Sequence, residues 1–293
     1  MKVVVHLGHR KTGSSYLQVC LAAKSKELEQ QGVIYPVSQK QVQVAQKGIF
    51  FGHPVTSWRE VLKKTKQYVS KAEFTNKTIL FSHEHFYKLL ANDTYRLEEL
   101  SKLGVDVELI VFSRCPMEYL QSGYAQDVKN FGYYGSIEDF LQENNYKIDL
   151  VQNMANLIEA ADRLHIPIHV HNYSKRKKDI LSLVENHLDV PKGTLQPEQD
   201  NMVINRTLTP DEVLLVRAYN KFIGKKTSKI IAQPLNTNLP ELKAHKIRPE
   251  KQALDKFIMN MNNDIEAFNK KYGQMFDAYD RLNANDVEGV ESP

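Results

Sequence analysis

Residues 2–18 read KVVVHLGHRKTGSSYLQ. Val3, Val4 and Val5 make an apolar β-branched run closing at His6-Leu7, the pattern of a strand buried on both faces in a parallel sheet. Gly8 breaks the strand, and His9, Arg10, Lys11 and Thr12 turn the chain toward Gly13. From Ser14 the residues suit a helix, with small hydroxyl side chains at its start, where unpaired N–H groups need acceptors. Strand, glycine-bounded turn and helix N-terminus aim several backbone N–H groups and the positive end of a helix dipole at one place. That place suits a phosphate; the plain alternative is a strand-to-helix turn with no ligand.

Gly8 and Gly13 satisfy the first half of the nucleotide-binding pattern G-x-x-x-x-G-K-[ST], but Ser14 stands where its lysine belongs. The loop's lysine is Lys11, ahead of the second glycine rather than beyond it. Its charge therefore falls within the loop, close to the bond between a donor phosphate and a transferred group.

K-T-G-S-S-Y-L-Q after a V-V-V-H-L-G strand resembles the 5′-phosphosulfate loop of sulfotransferases, above all the bacterial branch, whose loop reads K-T-G-[ST]-[ST]. Those enzymes draw on 3′-phosphoadenosine 5′-phosphosulfate (PAPS). The resemblance implies that Lys11, Thr12, Gly13, Ser14 and Ser15 hold the 5′-phosphosulfate, with Arg10 of the same turn beside them. A second match follows Val107 to Phe112, the strongest strand in the chain. There Ser113-Arg114-Cys115-Pro116 opens a helix, Pro116 suiting its first turn, and Arg114 and Ser122 can converge on one phosphate by fork and hydroxyl. R-x-P-x-x-x-x-x-S-x-Y at this point resembles the family's 3′-phosphate element. Asn205-Arg206-Thr207-Leu208-Thr209 is similar to the bacterial N-R-S-L-[ST] segment, which adds Arg206. The late R-K-G tripeptide of cytosolic animal members does not occur in this sequence.

Thr78 to Ser82 reads as another buried strand, followed at once by His83-Glu84-His85. Groups just past the carboxyl ends of strands line the ligand crevice of open α/β sheets. A polar turn opening the next helix is the simpler account of them. In the bacterial branch such a strand ends in S-x-E, which matches Ser82-His83-Glu84 and implies Glu84 as base, with His85 second. Alternation sends His83 and His85 one way and Glu84 the other if the strand continues.

The 293 residues can bury a full core, and 42% hydrophobic with 25% charged residues is ordinary globular composition. A net charge of +4 fits an anionic co-substrate and is too small to argue for nucleic acid. Two cysteines, far apart, fit a reducing compartment and give no structural zinc pattern. The absence of an 18-residue apolar run and of a signal-peptide pattern predicts no membrane span and a cytoplasmic protein.

These readings predict an α/β protein: a three-layer P-loop-type fold with a central, mainly parallel sheet flanked by helices. One domain is expected over 1–293, with a core of about 1–215, a helical extension over about 210–281 and a flexible tail at 282–293. Helices are expected from Ser14 to about Gln31, Trp58 to Lys71, Asp93 to Leu103, Pro116 to Lys129, Asp149 to Leu164, from a Ser174 cap to Leu188, from Pro210, and over Pro249 to Tyr272. Arg59, Lys63, Lys64 and Lys66 make a solvated face on the second of these. Residues 37–55 show no period and read as a loop near a site, with Phe50, Phe51 and His53 between glycines; 226–249 read as a loop or lid. The aromatic loop of Phe131, Tyr133 and Tyr134 is expected to meet substrate or adenine. His165, His169 and His171 are not at metal spacing and read as structural.

The function this implies is in-line transfer of a sulfuryl group from PAPS to a hydroxyl or amine of a small-molecule or carbohydrate acceptor, with no metal. Lys11 would steady the leaving phosphate and Glu84 take the proton. Two alternatives stand beside it. A P-loop kinase of small molecules is disfavoured because no lysine follows Gly13 and neither strand tip carries an aspartate for Mg²⁺, although Glu84 could substitute. A catalytically inactive nucleotide-binding module would bind the donor without turnover.

Overall fold

The computed structural model describes residues 1–8, 12–143, 149–197, 208–224, 230–232, 234–235, 247, 249–273 and 275–276. Arg10, Lys11, Arg206, most of the 226–249 segment and the 282–293 tail lie outside them. Five strands, β1 (Lys2–Leu7), β2 (Val33–Ile34), β3 (Thr78–His83), β4 (Asp106–Ser113) and β5 (Ile168–Asn172), form one sheet. Its order is β2-β3-β1-β4-β5 and every pairing is parallel. Helices α1 (Ser14–Ala23) and α2 (Ser25–Gln30) lead from β1 to β2, and α3 (Gln39–Gln46) and α4 (Trp58–Val69) lead on to β3. Between β3 and β4 lie α5 (Phe86–Asn92) and α6 (Tyr95–Ser101); between β4 and β5 lie α7 (Pro116–Phe131), α8 (Ile137–Glu143) and α9 (Asp149–Arg163). After β5 come α10 (Tyr173–Arg176), α11 (Ile180–His187), α12 (Pro210–Phe222) and α13 (Lys251–Tyr272).

Strand alternation splits the core into two. Val3, Val5, Leu7, Ile79, Phe81, Leu109 and Val111 pack with Trp58, Phe86, Tyr124, Leu157 and Phe268 on one face. Val4, Leu80, Ile110 and Phe112 pack with Leu17 and Leu21 of α1 and Ile180 and Val184 of α11 on the other. The result is a three-layer α/β fold with the central strands buried on both sides, as their continuous apolar runs require. The onward connection of β1 runs toward the β2 edge, whereas those of β2, β3 and β4 run toward β5. The carboxyl end of β1 is therefore the crevice of the sheet.

Three expectations change. The helix over 14–31 is two helices: Lys24 leaves helical geometry with ψ at 13° and its N–H bonds Cys20 O, after which α2 restarts and Gly32, at φ 85°, turns the chain into β2. Residues 37–55 are not all loop, because Ser38 and Gln41 form a reciprocal capping box that starts α3. Ser174 does not cap the helix after β5. Asn172 does, its side chain accepting from Lys175 N, and α10 is separated from α11 by a tighter turn. Among the described residues no helix is long and apolar enough to cross a membrane. Cys20 and Cys115 are both buried and form no disulfide.

Candidate functional site

The loop after β1 sits at the carboxyl end of the central strand. Leu7 pairs with His83 of β3 and with Val111 of β4, so the tips of both neighbours flank it. Gly8 N–H donates to His83 O at 3.4 Å. A Cβ on Gly8 would lie 2.6 Å from Ser14 Oγ and 2.8 Å from Glu84 Cα. This position therefore has to be glycine, and its lack of a side chain brings Glu84 and the first residue of α1 together. Ser14 Oγ is buried and has no hydrogen-bond partner among the described residues. A buried hydroxyl left so costs about 1–3 kcal/mol, which an anion in the loop would relieve.

Gly13 adopts φ 75°, and a Cβ there would lie 3.2 Å from Cε2 of Tyr173 and 3.3 Å from Cδ1 of Ile180. The left-handed turn thus packs under the residues that follow β5. Thr12 is fully buried and Ser15 half-buried.

Beneath the loop Ser82 ties three elements together. Its Oγ lies 2.8 Å from His6 Nδ1 and accepts from Gln18 Nε2 at 3.0 Å, while its carbonyl accepts from the same amide at 3.2 Å. The serine of the S-x-E pattern thus holds β3 to β1 and α1. Full burial pushes His6 down to about 4, so the ring is neutral.

β3 ends at His83, and Glu84 and His85 form a turn. Glu84 faces Gly8, whereas His83 turns the other way, stacked at 3.8 Å on His53 and at 4.6 Å on Phe86. Burial, then the neighbouring His53 and His85, push His83 down to about 3. Its Nδ1 accepts the His85 N–H at 3.0 Å, which leaves the proton on Nε2. His83 is thereby removed as a base. Glu84 is half-buried, and its Oε1 lies 3.5 Å from Nε2 of the exposed His85. The loop of Phe50 to His53 does border this tip.

On the β4 side, Arg114 follows the last strand residue with its side chain 15% exposed. Its Nε donates to Glu118 Oε2 at 3.2 Å, and its guanidinium lies 5.7 Å from the centre of the Tyr173 ring. Glu118 also accepts from Ser174 Oγ, which in turn accepts the Cys115 N–H. Tyr173 therefore touches both Gly13 and Arg114, joining the two halves of the site. Ser122 lies on α7, half-buried. In the aromatic loop Tyr133 packs inward against Tyr124 and Phe140, while Phe131 and Tyr134 are exposed.

Sequence reasoning did not assign Tyr173, Glu118, Ser174, His6 or Gln18 to this site. Tyr173 directly after a strand end was a usable signal, by the rule that singled out Glu84 and Arg114. Glu118 at i+4 from Arg114 on a helix was another.

Fold and site define an α/β protein with a glycine-bounded loop at the carboxyl end of the central strand, flanked by a carboxylate on one side and an arginine on the other. No family profile matches the sequence, and no curated protein matches it. Among solved structures the chain is similar to a sulfotransferase from Alicyclobacillus acidocaldarius, at 9% identity and TM-score 0.47, over 94% of this chain and 96% of that one. It is also similar to the sulfotransferase domain from the curacin biosynthetic pathway (13%, TM-score 0.40, 89% and 97%). A third is retinol dehydratase in complex with androsterone and inactive cofactor PAP (10%, TM-score 0.35, 96% and 83%).

Proposed function

We propose that this chain is a PAPS-dependent sulfotransferase. The reading is carried by one observation: the buried, unpartnered Ser14 hydroxyl at the start of α1, in a loop that Gly8 and Gly13 pack against Glu84 and Tyr173. Thr12, Gly13, Ser14 and Ser15 hold the 5′-phosphosulfate with Lys11 and Arg10, and the helix dipole of α1 adds to their field. Arg114, oriented by Glu118 and Tyr173, meets the 3′-phosphate together with Ser122, and Arg206 belongs to the same ligand set.

Transfer breaks the bond between sulfur and the bridging oxygen of the donor and forms one between sulfur and the acceptor oxygen or nitrogen. Positioning and charge stabilisation supply most of such catalysis. Lys11 neutralises charge that grows on the bridging oxygen, and Glu84, facing Gly8, takes the acceptor's proton. The test is incubation with sulfur-labelled PAPS and a panel of hydroxyl and amine acceptors. Acceptor-dependent release of PAP with label in the acceptor is expected. Tight PAP binding with no transfer to any acceptor class would favour the inactive binding module instead.

A further inference from the structure

Toward the amino ends of β4 and β5, away from the phosphate loop, Glu108, His169 and His187 converge from two strands and a helix. His187 Nδ1 lies 2.9 Å and His169 Nε2 3.5 Å from the same carboxylate oxygen, Glu108 Oε1. All three ligand atoms lie within 4.8 Å of one another. Around a tetrahedral zinc-sized ion with bonds of about 2.0–2.1 Å, ligand atoms are spaced by about 3.3 Å. The two short separations straddle that value. We infer that Glu108, His169 and His187 form a site for a divalent transition ion of borderline softness, such as Zn²⁺ or Co²⁺.

Two imidazoles and one carboxylate select such an ion over Mg²⁺ or Ca²⁺. The outer shell is also in place. His187 Nε2 lies 2.8 Å from His171 Nε2, so with metal on Nδ1 the ring donates its other N–H to His171 and keeps its orientation. The side chains of Glu108 and His187 are 12% and 15% exposed and that of His169 is 41%, leaving the fourth position to water. A cleft of about 400 Å³, lined in part by Lys2, Asp106 and His165, borders the Glu108 side of the cluster. The ion would cross-link β4, β5 and the end of α11, the helix whose first residue, Ile180, packs on Gly13.

One group opposes binding. Lys2 Nζ lies 2.8 Å from Glu108 Oε2 and also donates to His187 O. Its charge repels a cation, so removing it should tighten the site, a response that a purely structural ion pair would not give.

The experiment is titration of the full chain with Co²⁺, read by visible absorption, and with Zn²⁺, read by calorimetry and thermal melting. Saturable one-to-one binding is expected, with the absorption of a four-coordinate N/O site and a raised melting temperature. His169→Ala, at the most exposed ligand, should weaken binding at least tenfold and abolish the thermal shift, while Lys2→Met should strengthen binding several-fold. A His169→Ala variant that is folded and titrates like wild type, or a wild type that shows no saturable binding up to millimolar metal, overturns the site. Because the readout is metal binding alone, its failure leaves the sulfotransferase proposal untouched.

Discussion

Gly8→Ala tests the packing on which the loop depends. The added methyl would lie 2.6 Å from Ser14 Oγ, 2.8 Å from Glu84 Cα and 3.1 Å from Glu84 Cβ. Ser14 can rotate its hydroxyl away, but Glu84 Cα is backbone and must retreat by well over half an ångström to reach the ordinary carbon contact of about 3.5 Å. That movement pulls the β3 tip from β1, where Gly8 N–H meets His83 O. Overpacking of this kind costs about 1–3 kcal/mol, and for a chain of this size each kcal/mol lowers the melting temperature by roughly 2–4 °C. The comparison is Gly104→Ala, at φ 71° with nothing within 4 Å of the new methyl, which carries backbone strain of about 1–2 kcal/mol and no crowding. Both variants should melt lower, but only Gly8→Ala should also lose PAP affinity, at least tenfold by calorimetry. A Gly8→Ala protein with wild-type melting and wild-type PAP affinity refutes the packing argument.

Lys11→Ala should chiefly lower kcat, because its charge matters most as the bond breaks, whereas Arg114→Ala should chiefly weaken donor binding, by about 2–4 kcal/mol. Steady-state kinetics showing equal, small effects on both parameters from both variants would contradict that division. Glu84→Gln keeps the shape against Gly8 and removes the base, so turnover should fall by about 100- to 10,000-fold with PAP affinity near wild type; if it stays active and His85→Ala does not, His85 is the base. His6 stays neutral in the folded protein down to about pH 4, held there by burial, while the unfolded chain takes up its proton near pH 6.5. Folding stability from His6 is therefore full above pH 6.5 and is lost between pH 6.5 and about 4, by up to about 3 kcal/mol. His6→Gln should flatten urea-unfolding stability against pH in that window, and an unchanged slope would show that His6 does not set it.

The strand-loop-helix unit at residues 2–18 was legible because buried parallel strands leave long β-branched runs and the turn leaves its glycines. The same holds for β3 and β4, whose tips were read from the sequence as facing the crevice. α3 was hidden because QKQVQVAQ buries only Val42 and Ala45, too little for a visible period. The Ser38 and Gln41 capping box could have announced it. The break at Lys24 has no glycine or proline to mark it. Tyr173 meets Gly13 and Arg114 from an element that only the sheet order brings beside them, and Ser174 reaches Glu118 across 56 positions of sequence. His187 meets Glu108 across 79. Spacing rules see neighbours on one helix or strand, and such long-range meetings carry no periodic trace.

A crevice built this way should bind a 3′-phosphorylated adenine nucleotide without a metal. Calorimetry with PAP in the presence of a chelator, set against ATP with excess Mg²⁺, tests it most directly. PAP should bind at least tenfold more tightly, with the chelator making no difference; equal or tighter binding of MgATP, or PAP binding that requires Mg²⁺, would contradict the account.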